Sequence, residues 1–252
     1  MSRLSVLTAA IALCFVNGAS AQSSLGVTGV EIGAGGVSGR DGGTSFSADL
    51  TIDVAVTEYH GLQGDLAWIN TGSEDLGRLA GHLYMVPRPG HKYGLYAALG
   101  DVNDRSLTYG VAGIEGMFEV NDRSALGGFL GLGMGSEDGL DVIFGGLEGT
   151  YRFSSAIRFD GGVQVTEYDE IALQAIGTEL DVNMRYAPEG QPFAVTLGVG
   201  HSLLTGPDGE PGETRAKLGL SWRFGEINGA APNTRPFRTP DPFLPLIRRG
   251  LY

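Results

Sequence analysis

The chain has 252 residues, of which 42 are glycine, and its 29 acidic side chains outnumber its 17 basic ones. The net charge of −12 argues against nucleic acid as a partner, because nucleic-acid-binding surfaces are basic. Hydrophobic residues make up 42% of the chain, which is too many for a disordered protein. The glycines follow no three-residue period, which excludes a collagen-like structure.

Residues 1–21 are predicted to form a secretory signal peptide. Arg3 precedes an apolar stretch that is about 13 residues long and too short to span a bilayer as a helix. Ala19-Ser20-Ala21 then provides an A-x-A cleavage site. Cleavage after Ala21 removes Cys14, so the mature chain contains no cysteine although it enters an oxidising compartment.

The segment 44–57 shows near-unbroken alternation of apolar and polar residues. Leu50 and Ile52 share one face of an extended strand with other apolar residues, whereas Asp49 and Asp53 lie on the opposite face. A strand of about ten residues with one apolar and one charged face is typical of a barrel wall between lipid and water.

Eleven further segments have a similar pattern, which gives about twelve strands in all, although ten are possible. The predicted strands cover residues 26–36, 44–58, 62–70, 79–86, 93–100, 107–120, 125–134, 140–153, 156–167, 173–186, 193–203 and 214–224. Short turns alternate with longer loops rich in Gly, Asp and Glu, and an even strand count returns both termini to the periplasm. We therefore predict an all-β fold, a transmembrane antiparallel up-and-down β-barrel formed by residues 22–224.

The last predicted strand carries a more specific motif. Lys217 is a polar residue, Gly219 follows two positions later, and Trp222 and Phe224 are two aromatic residues separated by one position. This pattern is similar to the β-signal on the final strand of bacterial outer-membrane β-barrel, porin-like proteins. The resemblance implies outer-membrane lipid as the environment and recognition by the barrel-assembly machinery. In that family the motif usually ends the protein, whereas 28 residues follow it here.

The same alternation predicts which charged side chains line the lumen, because Lys or Arg facing lipid at the membrane midplane costs about 2–4 kcal/mol. The inward set contains Glu31, Asp49, Asp53, Asp65, Glu115, Glu119, Glu148, Arg152, Arg158, Asp160, Glu179, Asp181, Arg185, Arg215, Lys217 and Arg223. We expect Arg215, Lys217 and Arg223 to face Glu31. Two alternatives follow: the charges neutralise one another and fill the bore, or they line a narrow pore that favours cations.

No sequence motif indicates an enzyme, a metal site or a cofactor. His201 and Ser202 are adjacent, so their side chains point to opposite faces of a strand and cannot form a nucleophile and base pair. His82 has Tyr84 as its neighbour on the same face. Phosphate-binding loops, dinucleotide fingerprints and metal-ligand clusters are absent from the sequence.

Residues 225–252 are predicted to form a separate, proline-rich, basic tail in the periplasm. Residues 231–252 contain five prolines and four arginines against one aspartate, and we expect no regular helix there because proline removes backbone donors. Phe237 and Phe243 are unusually apolar for a solvated tail. Three alternatives remain open: a disordered tail, docking to a periplasmic partner, or insertion of the basic tail into the acidic lumen.

The predicted function is that of a porin-like passive channel or a structural protein of the Gram-negative cell envelope. A surface adhesin that uses the outward loops is the main alternative, although those loops are short for a binding surface. A lipid-modifying barrel enzyme is a further alternative.

Overall fold

The computed structural model describes residues 26–39, 43–103, 107–136, 140–169, 173–225 and 235–251. They contain a closed barrel in which each strand pairs with its neighbours in the sequence and β1 pairs with β12. The strands are β1 Gly26–Gly39, β2 Thr44–Ala55, β3 His60–Asn70, β4 Asp75–Arg88, β5 His91–Val102, β6 Leu107–Asn121, β7 Ser124–Gly135, β8 Asp141–Arg152, β9 Ile157–Asp169, β10 Gln174–Tyr186, β11 Phe193–Thr205 and β12 Glu210–Gly225. One helix, α1 (Leu244–Arg249), follows them.

The predicted twelve-strand antiparallel barrel is confirmed. The first and last strands close it in an antiparallel register that places Glu31 opposite Arg223 and Gly35 opposite Gly219. The largest differences from the predicted boundaries are at β4 and β12, which each begin four residues earlier than expected. Both extra stretches lack clean alternation, and β12 begins with Glu210-Pro211-Gly212, which reads as a turn in the sequence.

The two ends of the barrel differ, and we name them by their connections. The terminal end is where β1 begins and β12 ends, and it carries the short turns that join β2 to β3, β4 to β5 and the following pairs. The loop end is the opposite rim. Two turns at the terminal end have only two residues, and one of them joins β4 to β5 through Pro89 and Gly90, where Gly90 has a φ of 80°, which favours glycine.

The outer face of the barrel is apolar around its middle. Leucine and isoleucine side chains that would normally be buried are between 58% and 68% exposed on β5, β7 and β8, namely those of Leu95, Leu99, Leu130, Leu132, Ile143 and Leu147. Exposed apolar area of this extent is rare on monomeric soluble proteins, so the band suits contact with lipid.

Aromatic side chains surround the terminal end of the same outer face. They are between 43% and 55% exposed and belong to Tyr93, Phe118, Tyr151, Tyr186, Trp222 and Phe224. A ring of Tyr, Trp and Phe is typical of the level at which a membrane protein meets the lipid headgroups. The part of the chain that the structure describes contains no helix long and apolar enough to cross a membrane.

A charge added to the outer face should affect the barrel more than the same charge added inside. Leu130→Arg places an arginine near the middle of β7 against lipid, at a cost of about 2–4 kcal/mol. Gln164→Arg is the matched control, because Gln164 lies near the middle of β9 and lines an interior cavity. We expect Leu130→Arg to lower the folded fraction, measured as heat-modifiable migration after insertion into lipid vesicles. Equal losses for both variants would contradict the assignment of the two faces.

Candidate functional site

The loop half of the barrel interior is apolar along β4–β8, which distinguishes this surface from the polar terminal half. There the inward side chains other than Arg78 are buried and apolar, and they pack into one cluster with tail residues and parts of β9–β11. We call the strand part of this cluster the apolar inner surface: Leu76, Ala80, Tyr96, Ala98, Val102, Leu107, Tyr109, Val111, Leu140, Val142, Phe144, Tyr168, Ala175 and Leu204. An interior surface of this kind requires an apolar partner, because leaving it in water is unfavourable.

The C-terminal tail, residues 235–251, provides that partner by running through the interior from the terminal end to the loop end. It begins at Arg235, which donates to the Thr150 hydroxyl near the terminal end of β8. The guanidinium also lies 3.6 Å from Glu148 and 3.7 Å from Asp160. On the opposite side of the tail, Lys92 Nζ donates to the Arg235 carbonyl at 3.0 Å. The described part of the tail therefore lies inside the barrel, which agrees with the alternative in which the basic tail inserts into the acidic lumen.

Phe237 anchors the next part of the tail through both its backbone and its ring. Its backbone N–H donates to Gln63 Oε1 at 2.7 Å, and its carbonyl accepts from Gln63 Nε2 at 2.8 Å. The ring stacks on the His82 imidazole with a centroid distance of 5.9 Å, and Lys92 Nζ lies 4.7 Å from the ring centroid. This pairing with the Gln63 amide resembles a strand contact and fixes the tail against β3.

His82 joins three segments in the middle of the barrel. It is fully buried, with Nδ1 2.7 Å from Glu115 and Nε2 3.0 Å from Asp65. Thr239 of the tail lies 3.1 Å from the same Nε2 atom and donates its hydroxyl to Asp65 at 2.9 Å. The tail therefore completes a buried polar network of the wall. Among the described residues, no three His, Cys, Asp or Glu side chains form a group that could hold a metal ion.

Asp241 links the polar network to the apolar inner surface. Its carboxylate accepts from Arg78 at 2.9 Å and from the Tyr109 hydroxyl at 3.0 Å. The Tyr168 hydroxyl donates to the Pro242 carbonyl at 2.5 Å. Burying the Asp241 carboxylate and the two tyrosine hydroxyls without partners would be costly, so their hydrogen bonds fix the position of the tail.

Phe243 and α1 then fill the loop half of the interior. The Phe243 ring is fully buried with its centroid 4.5 Å from that of Tyr109, and a Cβ added at Gly133 would lie 3.0 Å from the Phe243 ring. Leu246 and Ile247 of α1 are at most 1% exposed. Because Gly133 has no side chain, the Phe243 ring has room to pack against β7.

The expectation that the tail forms no regular helix is wrong for six residues. Pro245 occupies the first turn of α1, where a helix does not use the missing N–H, so proline there does not prevent helix formation. Gly250 ends the helix with a φ of 65°, and its N–H reaches the carbonyls of Ile247 and Leu246. Arg249, near that end, donates to the Ser202 carbonyl at 3.0 Å.

Between the tail and the wall, the described residues line two cavities. The larger, of about 340 Å³, lies mainly against β2, β3, β8–β10 and β12, and its lining includes Asp49, Thr51, Gln164, Glu179 and Lys217. The smaller, of about 270 Å³, lies nearer the terminal end and is lined by Arg158, Asp160, Asn183, Arg185 and Thr196. Tail residues line both cavities.

Most of the sequence-predicted lumenal charges lie in these cavities or in ion pairs beside them. The pairs are Arg185 with Glu31 at 2.6 Å, Arg215 with Glu179 and with Glu213 at 2.9 Å, Arg158 with Asp160 at 2.9 Å, and Lys217 with Asp181. Asp53 accepts from the Tyr84 hydroxyl at 2.7 Å, whereas Asp65 and Glu115 hold His82. The wall charges are thus largely neutralised locally.

Three members of the predicted set have different surroundings. Arg152 is exposed at the terminal end and donates to the carbonyl of the turn residue Asp122 at 2.5 Å. Glu119 is half-buried near the same end, beside Gly90. Arg223 has a buried Nε without a hydrogen-bond partner among the described residues.

The predicted neighbours of Glu31 require a correction. Arg223 is opposite Glu31 in the strand register, but Arg215 and Lys217 are opposite Gly39 and Val37, several residues nearer the loop end. The partner of Glu31 is instead Arg185 on β10, which also donates to Ser221 at 2.8 Å. The sequence gives the face of each charge, but the distance of each along the barrel axis depends on the register.

The residues of the β-signal-like motif lie on both faces of β12. Lys217 faces inward and pairs with Asp181, and Gly219 is opposite Gly35 on β1. Trp222 and Phe224 are 43% and 55% exposed on the outer face at the terminal end.

Several interior residues were not predicted because they fall outside the predicted strands or are apolar. Arg78 and Lys92 directly precede the predicted starts of β4 and β5, yet they share the parity of His82 and Tyr96, which would have indicated an inward position. Tyr96 and Ala98 lie in a run that is apolar on both faces. Loss of alternation in residues 93–99 was the available signal for an apolar interior.

Comparison with known proteins identifies the fold but no family. No protein-family model and no curated protein matches the chain. An outer membrane channel from Pseudomonas putida F1 is similar, with a TM-score of 0.59 and 12% identity, over 83% of this chain and 100% of that one. The NanC porin has a TM-score of 0.56 and 11% identity, over 77% and 98% of the two chains. For the KdgM porin the values are 0.52 and 12%, over 77% and 99%. The chain has the fold of these porins and channels.

The tail position can be tested by cysteine accessibility, because the chain from residue 22 onward contains no cysteine. Thr239→Cys places a thiol in the buried middle of the tail, whereas Ser155→Cys places one in an exposed turn. We expect a membrane-impermeant maleimide to label residue 239 at least about tenfold more slowly in the folded barrel, because labelling there requires local opening. Similar labelling rates at the two positions would show that the tail lies outside the barrel.

Proposed function

We propose that the protein is a porin-like passive channel of the Gram-negative outer membrane that admits small hydrophilic solutes. The observation that carries the proposal is the combination of an apolar outer band with charged cavities of about 340 and 270 Å³ inside one closed barrel. An apolar exterior with a polar interior is the arrangement of a membrane barrel that passes water and solutes.

The tail restricts the proposed passage to small solutes. Twelve strands form a barrel wider than the side-chain-filled eight-stranded type and narrower than an open porin of sixteen strands. Here the tail occupies the interior from Arg235 to Leu251 and leaves cavities of about 340 and 270 Å³ between itself and the wall. A solute that follows these cavities moves between the tail and the polar wall.

The comparisons support the same class of function. The similar structures named above are porins or an outer membrane channel, and one further structure of KdgM is of a complex with disordered oligogalacturonate. These are properties of those proteins, and identities near 12% carry only the fold to this chain. The proposed activity is accordingly passive passage without an enzymatic step, and it applies to small hydrophilic solutes as a class.

The proposed assembly route uses the signal peptide, residues 1–21, which lie outside the described residues, and the motif on β12. Trp222 and Phe224 are exposed at the terminal end, where the barrel-assembly machinery would meet the last strand. The location of the described tail inside the barrel supports an internal role over docking to a periplasmic partner.

A structural envelope protein without transport is the second candidate. The observation that favours it is the depth of the plug, since Phe243 and Ile247 of the tail are fully buried in the loop half. In this case the cavities are closed at the loop end, and the barrel conducts only when the tail leaves.

Planar-bilayer conductance distinguishes the two candidates. For a channel, full-length protein should give discrete, ohmic steps, and deletion of residues 226–252 should increase the step size because the interior widens. Phe243→Ala should give an intermediate or flickering conductance, since removing a buried Phe costs about 3–5 kcal/mol of packing. Silence of the full-length protein with large steps from the deletion would support the structural candidate instead. Silence of both, with insertion verified, would refute the channel.

The β-signal can be tested separately in cells. Phe224→Ala should reduce the amount of barrel assembled in the outer membrane, because the machinery would lose one of its two aromatic contacts. Phe153→Ala is the matched control, since Phe153 is 62% exposed near the same end but lies outside the motif. Equal assembly of both variants would refute the assignment of residues 217–224 as the signal.

A further inference from the structure

We propose that the C-terminal tail, rather than the barrel wall, determines the charge selectivity of the lumen, with Arg238 as the principal residue. This inference rests on the proposed channel function and deepens it. The two cavities share three lining residues, Glu148, Phe237 and Arg238, which we call the neck. Two of these three belong to the tail, so the tail contributes most of the boundary that the two cavities share.

Arg238 is the most accessible charge of the neck. Its side chain is 56% exposed, compared with 11% for Glu148 and with 10% and 14% for the tail residues Arg235 and Arg248. It donates to Asp181 at 3.0 Å but still presents more than half of its surface to the water in the cavities. A solute ion that passes the neck therefore meets this guanidinium directly.

The ion pair of Arg238 does not neutralise the site, because Asp181 is shared. Lys217 contacts one carboxylate oxygen of Asp181, and Arg238 contacts the other. Two cations with one carboxylate leave one net positive charge at this point of the wall. Without Arg238, the Lys217–Asp181 pair is locally neutral.

The tail also makes the net charge of the cavity lining more positive. Six acidic side chains of the strands line the two cavities: Asp49, Asp65, Glu148, Asp160, Glu179 and Asp181. Five basic side chains of the strands do so: Arg78, Arg158, Arg185, Arg215 and Lys217. The tail adds Arg235, Arg238 and Arg248 against Asp241. The lining contributed by the wall is therefore net negative by one charge, and by more when Glu31 and Glu213, the partners of Arg185 and Arg215, are included, whereas the tail adds two net positive charges.

The sign of this charge decides which ions enter. Charged side chains that line a constriction concentrate ions of the opposite sign and exclude ions of the same sign. A unit charge about 4 Å from an ion changes its occupancy by about fivefold even in bulk water. The wall alone would favour cations, whereas the tail arginines, and Arg238 above all, shift the preference toward small anions.

The test is the reversal potential of full-length protein in a KCl gradient. Arg238→Gln should raise the ratio of potassium to chloride permeability by about 25-fold at low salt, because potassium occupancy rises and chloride occupancy falls by about fivefold each, and Arg238→Glu should raise the ratio further. Arg238→Lys should keep the wild-type ratio because it keeps the charge. Arg88→Gln is the matched control, since Arg88 is an exposed residue of the terminal rim that lies beside His91 and lines neither cavity.

The differences should shrink at about 1 M salt, where the Debye length falls to about 3 Å. Equal reversal potentials for wild type, Arg238→Gln and Arg88→Gln, with steps still present, would overturn the inference and leave the channel intact. A loss of selectivity in Arg238→Lys as large as in Arg238→Gln would also overturn it, because packing rather than charge would then be responsible. Silence of every inserted variant would refute the channel and the inference together.

Discussion

The structure depends on one constraint: the interior surface of the loop half along β4–β8 is apolar and has to be covered. A water-filled lumen would leave the apolar inner surface of β4–β8 in contact with solvent, although burial of each large apolar side chain is worth about 1.5–3 kcal/mol. Phe243, Leu246 and Ile247 of the tail satisfy this requirement, because each is at most 1% exposed. The tail is therefore the core of the barrel, and the outer band faces a different apolar environment, the lipid.

The polar contacts of the tail follow from the same placement. Once the apolar segment lies in the loop half, residues 235–241 have to cross the charged terminal half, and their backbone and side chains require partners there. Gln63 pairs with the backbone of Phe237, while Asp241 is held by Arg78 and Tyr109. The arginines of the tail meet the carboxylates of the wall, which explains how so many acidic residues are tolerated in a narrow interior.

The sequence is sufficient for the fold because lipid outside and charge inside impose a strict two-residue period on most strands. Along β2 this period assigned the lipid-facing and lumen-facing side chains, although the strand ends at Ala55 and not at the predicted residue 58. The site was only partly predictable for two reasons. Where β5 is apolar on both faces, as at Tyr96 and Ala98, periodicity no longer separates lipid from core. Ion pairs such as Arg185 with Glu31 join strands far apart in the sequence, and their partners depend on barrel closure and stagger.

The covalent link between barrel and tail makes the plug difficult to replace. Only nine residues separate Gly225 from Arg235, so the association of the tail with the interior is intramolecular, and short linkers give effective concentrations in the millimolar range. A free peptide or solute that competes for the apolar inner surface has to exceed that concentration or bind more tightly. Opening by a ligand is therefore disfavoured at ordinary concentrations. Passage past a resident tail agrees better with the remaining cavities than a cycle in which the tail leaves and returns.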